Sequence, residues 1–286
     1  VIIAIPTNNT DFKSEIPKRA QNAAYCKYVS DAGYSPILVP MEADPNTIAS
    51  IADGLLLAGG IDVDPMYYGV SNYASYNVDP EKDNAERRLF HAFRVEHKPI
   101  MGICRGFQLI FREFLHKNDN YENYLEYVEH LNKHAQGNDL NIRRSVPSHL
   151  VRVNHYSLYT QSDSLDDPSL SMQPVNSMHH QVCAINFMQV ANDYAPGKKV
   201  STEEPSILHF DDFELTAWSL RGITQPTSSK GKQDIDNRWA IVEAMKIHNW
   251  DAPIMGVQWH PEELRDIALI RNFFSNNKEK LLENGA

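Results

Sequence analysis

Three short runs, Val1–Ile5 (VIIAI), Pro36–Val39 (PILV) and Gly54–Ala58 (GLLLA), are apolar at consecutive rather than alternate positions. A strand with one wet face alternates. A strand apolar on both faces must be covered on both, and the common solution is a parallel sheet with helices on each side. The intervening stretches suit that arrangement. Pro17–Ala32 reads as a helix, with Pro at its first position and Gly33 supplying the left-handed residue past its end. Pro80–His97 carries acidic residues early and basic ones late, which complements a helix dipole, and Leu89 and Phe93 fall on one face. Strand Pro99–Ile103 then runs into Cys104 and a helix bearing Phe107, Leu109, Ile110, Phe111, Phe114 and Leu115. This is a βαβ pattern, whose crossover is right-handed.

Farther along, residues 118–140 turn to Tyr, Asn, Glu and His and read as a surface excursion. A helix is expected over Tyr121–His134, and Tyr121, Tyr124 and Tyr127, which recur every three residues, could line one side of it. Leu150–Val153, Val182–Met188 and Glu214–Trp218 read as strands. Residues 222–236 form a polar loop longer than most connections. Trp239–Met245, Ile254–Val257 and a helix over Glu263–Phe274 return the chain to the core. With no repeat and no clear linker, residues 1–286 are expected to form one domain with excursions at 118–140 and 222–236.

Composition narrows the partners. Lys and Arg number 27 against 37 Asp and Glu, for a net charge of -10, and no dense basic run offsets it, so nucleic acid is a poor partner. Cys26, Cys104 and Cys183 cannot all pair, and none has a neighbour at metal-site spacing, so neither a disulfide framework nor a structural zinc is expected. No run approaches the roughly 20 apolar residues of a membrane span. The expectation is a cytoplasmic protein, with a leader removed before Val1 left open.

Three segments could carry chemistry. Gly102-Ile103-Cys104-Arg105-Gly106 lies where a buried strand gives way to a helix. A cysteine there can project from a tight turn beside helix N-H groups that favour its thiolate, although it would also suit a buried strand end. Gln258-Trp259-His260-Pro261-Glu262 follows another apolar strand, so His260 could take the thiol proton and Glu262 could orient the ring. Both segments would then sit at carboxyl ends of parallel strands, where ligand sites of open α/β sheets lie. Gly59-Gly60 follows a third strand and could turn backbone N-H groups toward an oxyanion, or simply make a turn. Asp62 and Asp64 lack converging partners in sequence and establish no metal site.

Gly-Ile-Cys-Arg-Gly-Phe-Gln (102–108) together with Gln-Trp-His-Pro-Glu (258–262) resembles the class I glutamine amidotransferase-like superfamily. Gly-Gly-Ile-Asp-Val-Asp-Pro-Met-Tyr-Tyr-Gly (59–69), Asn-Ser-Met-His-His-Gln (176–181) and Val-Glu-Ala-Met (242–245) narrow the resemblance to the γ-glutamyl-γ-aminobutyrate hydrolase-like group, peptidase family C26. The resemblance implies a three-layer α/β/α sandwich, flavodoxin-like, around a central mostly parallel sheet. It implies Cys104 as nucleophile, His260 as base and Glu262 as the orienting acid, with main-chain N-H groups of Gly60 and Arg105 facing the oxyanion. Gln108 would stand near the elbow in a structural or substrate-facing role, and His179, His180 and Gln181 would border the pocket and help to recognise the substrate. The implied reaction is hydrolysis of the amide of a small γ-glutamyl compound by water through a glutamyl thioester, with no metal or cofactor and no membrane; a homodimer is left open. A glutaminase subunit passing ammonia to a synthase, and a catalytically silent binding protein on the same scaffold, are the alternatives.

The resemblance also has gaps. Relatives usually continue after the elbow helix with Asn-Val and a Gly-Gly turn, whereas this chain reads Phe111-Arg112-Glu113-Phe114-Leu115-His116. The 222–236 loop interrupts a place where relatives connect strands more directly. Both departures are expected to bear on specificity rather than on chemistry.

Overall fold

The computed structural model describes residues 1–9, 18–68, 75, 78–117, 125–129, 143–154, 158–159, 170–179, 181–186, 210–219, 223–224, 235–236, 239–248 and 250–284. In chain order the elements are β1 (Ile2–Pro6), β2 (Asn8–Asn9), β3 (Arg19–Ala20), α1 (Ala23–Asp31), β4 (Ser35–Val39), α2 (Pro45–Ile51) and β5 (Gly54–Leu57). After a 3-10 turn at Pro65–Tyr68 come α3 (Pro80–Val95), β6 (Ile100–Ile103), α4 (Arg105–Lys117), β7 (Leu125–Glu129), β8 (His149–Asn154), β9 (Leu170–Val175) and β10 (Gln181–Asn186). The chain closes with β11 (Phe213–Ser219), β12 (Ile223–Thr224), β13 (Ile235–Asp236), β14 (Trp239–Ile247), β15 (Ile254–Val257), α5 (Pro261–Leu264) and α6 (Ile267–Asn284).

One eleven-stranded sheet runs β4-β1-β5-β6-β15-β14-β11-β8-β9, with β10 added to β14 and β7 to β10. From β4 to β15 every pairing is parallel. From β14 onward the pairings are antiparallel. The apolar runs occupy the parallel half because residues of both parities are buried there. Ala4, Leu55 and Leu57 pack with Leu89, Phe90 and Phe93 of α3 and the aromatics of α4. Ile3, Ile5 and Leu56 pack on the other face with Tyr25 and Tyr28 of α1 and Leu269, Ile270 and Phe274 of α6. The expected layering of helices on both sides of a central sheet is present.

Several boundaries differ from the sequence reading, each for a local reason. The first helix begins at Ala23 because Asn22 caps it through Ala24 N-H, while Arg19–Ala20 pairs with Asn8–Asn9 as strand. It ends as expected on Gly33, with φ 91°. The helix expected over Tyr121–His134 is corrected: Leu125–Glu129 is a strand, antiparallel to β10. Its sequence, LEYVE, shows no clean period, and β10, which pairs with it over five residues, decides its conformation. Tyr121 and Tyr124 lie outside the described residues. The C-terminal helix is two helices, broken at Arg265 in the left-handed region with φ 59°. The ends of the 222–236 loop pair as β12 and β13, and residues 225–234 lie outside the described set. Among the described residues, no helix is long and apolar enough to cross a membrane.

Candidate active site

Strands β5, β6 and β15 are adjacent and nearly level, with Leu57 opposite Gly102 and Ile103 opposite Val257. Their carboxyl ends therefore release Gly59-Gly60, Cys104 and the 258–262 segment into one place. Cys104 occupies the left-handed region with φ 51°, unusual for a residue with a side chain and worth about 1–3 kcal/mol of strain. The turn is held from both sides: Cys104 N-H donates to Val257 O at 2.8 Å, and Cys104 O accepts from Gln108 N-H at 3.0 Å as α4 begins. Close approach of α4 depends on Gly106, where a Cβ would lie 2.0 Å from Leu57 O.

His260 is buried. Its Nδ1 lies 2.7 Å from Glu262 Oε1 and 3.3 Å from the Tyr25 hydroxyl. Its backbone is clamped by Asn176, whose Oδ1 accepts His260 N-H at 2.9 Å and whose Nδ2 donates to His260 O at 3.2 Å. Nε2 makes no hydrogen bond among the described residues, while the neighbouring Cys104 acts on the ring by its charge. Burial works against the imidazolium, but the Glu262 carboxylate and Cys104 outweigh it, so the His260 pKa is raised to about 10. The ring is thus held protonated at neutral pH beside a buried sulfur.

Gly59 lies where these groups meet. Its N-H donates to the Tyr25 hydroxyl at 2.9 Å. A Cβ at Gly59 would come within 2.4 Å of that hydroxyl, 2.9 Å of His260 Cε1 and 3.5 Å of the Cys104 Cβ. Burial and the neighbouring Glu262 raise the Tyr25 pKa well above its ordinary value, so the hydroxyl keeps its proton. At Gly60 a Cβ would meet Asn8 Oδ1 at 3.3 Å, Arg105 Cδ at 3.5 Å and Lys82 Cε at 3.6 Å. The Arg105 guanidinium turns away from the cysteine and pairs with Asp83 and Glu86, and Glu86 also pairs with Lys82; all four side chains are buried.

The residues expected to border the substrate engage the protein itself. Gln108 Nε2 donates to Gln181 O at 2.7 Å and lies 3.3 Å from Gln258 Oε1. The Gln181 amide pairs in both directions with the backbone of Val63, donating to Val63 O at 2.7 Å and accepting from Val63 N-H at 3.1 Å. His179 Nδ1 lies 2.8 Å from Gln181 O. His180 lies outside the described residues. Asp64 Oδ1 accepts Met66 N-H at 3.0 Å within its own turn. Among the described residues no three His, Cys, Asp or Glu side chains converge as a metal site would require.

Sequence reasoning missed Tyr25, Asn176 and the Lys82, Asp83 and Glu86 group. Asn176 stood in a quoted motif, so its place could have been found. Tyr25 gave no signal, being one aromatic on an apolar helix face.

The Peptidase C26 family model matches residues 1–204 and 221–262. The chain is 27% identical over 239 residues to the candidate glutamine amidotransferase-like protein YvdE of Lactococcus lactis, covering 81% of this chain and 76% of that protein. It is 24% identical over 267 residues to the candidate glutamine amidotransferase-like protein RP404 of Rickettsia prowazekii, covering 88% and 86% respectively. Its fold is similar to that of a candidate GMP synthase component from Thermoplasma acidophilum, with a TM-score of 0.53 and 17% identity over 100% of this chain and 98% of that one.

Proposed function

We infer that this chain, which belongs to the Peptidase C26 family, acts as one catalytic domain that hydrolyses the amide of a γ-glutamyl compound through Cys104. The observation that carries the reading is the meeting of a cysteine in a strained left-handed turn with a buried His260–Glu262 pair at 2.7 Å. In the proposed reaction the Cys104 thiolate attacks the γ-carbonyl carbon, a C–S bond forms and the carbonyl electrons move onto oxygen. The N-H groups of Gly60 and Arg105 receive that oxyanion. As the C–N bond breaks, the His260 imidazolium gives its proton to the departing amine, leaving a glutamyl thioester. The now neutral His260 takes a proton from water, hydroxide adds to the thioester, and the C–S bond breaks to restore the thiolate and release the carboxylic acid, which ionises by giving its proton to solvent. Glu262 holds the ring orientation and its positive charge throughout.

The names of the relatives favour glutamine as the amide that is cleaved, and with it the reading that ammonia passes to a synthase partner. Both readings share the thioester and differ in the amine released. The test is mass-spectrometric detection of glutamate from a panel of γ-glutamyl amines and glutamine. Cys104→Ala should lose at least about a thousandfold in kcat, and iodoacetamide should label Cys104 ahead of Cys26 and Cys183. Glutamine as sole substrate, accelerated by a synthase, would favour the ammonia reading. A folded protein that releases nothing from any compound would leave a silent binding scaffold.

A further inference from the structure

Beneath the two amides assigned to the oxyanion lies a closed group of four buried charges. α3 contributes Lys82, Asp83 and Glu86, with Lys82 and Glu86 one turn apart on one face. α4 contributes Arg105, whose guanidinium reaches Asp83 with one nitrogen and Glu86 with the other. Side chains at these positions are almost wholly shielded: Lys82 and Asp83 are 0% exposed, Glu86 and Arg105 1%. Burial alone would raise the Glu86 pKa, but Arg105 and Lys82 outweigh it and the pKa is lowered, whereas burial prevails at the other two sites, lowering the Lys82 pKa and raising that of Asp83. Replacing such a group by packed apolar side chains is often neutral or stabilising, so stability is a poor reason for four charges here.

Their connections give a better one. Asp83 Oδ2 accepts the N-H of Asp64 at 3.0 Å, which fixes the far end of the loop that begins at Gly59. The Arg105 and Lys82 stems lie 3.5 and 3.6 Å from where a Gly60 Cβ would stand. Arg105 itself is the first residue after Cys104. The quartet therefore touches both sources of the oxyanion hole: it anchors the side chain whose own backbone supplies one N-H, and it packs beneath the glycine that supplies the other.

We propose that Lys82, Asp83, Glu86 and Arg105 form a positioning device that sets the spacing between the Gly60 and Arg105 N-H groups. None of the four side chains touches the substrate. The idea rests on the hydrolase reading above, in which those amides bind the developing oxyanion.

Two variants test it. Glu86→Gln removes one anion, and Lys82→Met/Glu86→Leu removes a cation and an anion together, so that no net charge is stranded. In both, kcat for the best γ-glutamyl amide should fall at least about tenfold, because misplaced donors fail the transition state more than the ground state, while KM stays within about threefold. Cys104 alkylation by iodoacetamide, which forms no oxyanion, should stay within about twofold of wild type. Hydrogen exchange at the Gly60 and Arg105 amides should quicken in both variants. Either folded variant with wild-type kcat and wild-type exchange overturns the proposal. So does alkylation that falls in step with kcat, since the quartet would then act on the nucleophile or on the fold at large. If Glu86→Gln fails to fold, the charge-balanced pair decides alone; failure of both assigns the quartet to folding and overturns the positioning role. A wild-type protein that cleaves no γ-glutamyl amide defeats the hydrolase reading, and the exchange measurement still decides whether the quartet ties the loop to the elbow.

Discussion

A single hydroxyl joins the two halves of the site. Tyr25 receives the Gly59 N-H at 2.9 Å and stands 3.3 Å from His260 Nδ1, so it is tied both to the glycine loop and to the base. Tyr25→Phe keeps the ring in its packing and removes only that oxygen. The Gly59 N-H then loses its acceptor, a loss that typically costs about 1–3 kcal/mol when the group is buried. The variant should melt lower and lose about tenfold in kcat with little change in KM, as steady-state kinetics and thermal unfolding would report; unchanged kcat would show that the hydroxyl is incidental to the relay. At this scale the sequence was only partly legible. Cys104 and His260 announced themselves because glycines and strand ends flank them. Lys82, Asp83 and Glu86 did not, because acidic and basic residues near the start of a helix read equally well as a solvated first turn complementing the dipole. Only the placement of Arg105 shows that this face is turned inward.

Among the elements, α4 carries the tightest constraint. Its first turn lies against β5 so closely that a Cβ at Gly106 would be 2.0 Å from Leu57 O and 2.5 Å from Leu57 C, both backbone atoms that have nowhere to move. Gly106→Ala must push the helix outward. It should destabilise the protein by about 3 kcal/mol or more and slow Cys104 alkylation, measured by urea unfolding and by the labelling rate; an alanine variant as stable as wild type would mean that α4 is free to slide. The parallel strands were readable because burial on both faces leaves no polar alternation to confuse. The antiparallel wing was harder: β9 was not anticipated, and Leu125–Glu129 pairs as a strand where the sequence suggested a helix. Pairing partners decide such segments, and β10 is remote in sequence from the strand it accepts. Of the departures from the relatives' pattern, Phe111–His116 lies within α4, whereas residues 225–234 of the later loop lie outside the described set.

For the molecule as a whole, the raised His260 pKa couples the site to stability. A histidine whose folded pKa of about 10 exceeds its unfolded value near 6.5 stabilises the fold fully below pH 6.5 and loses that contribution as the pH climbs through about 10. Urea unfolding midpoints should therefore decline from neutral toward alkaline pH, and His260→Gln should flatten that decline; an equal decline in the variant would assign it to other groups. The order of the sheet has a further consequence for a ribosome-bound chain. β15 lies between β6 and β14 within the sheet, yet among the described strands it is the last in sequence. Until it emerges, β6 has an open edge, Cys104 N-H lacks the Val257 carbonyl that holds its turn, and no base faces the sulfur. The nascent polypeptide thus carries an unarmed thiol from the synthesis of Cys104 until β15 and His260 follow, and activation coincides with closure of the sheet.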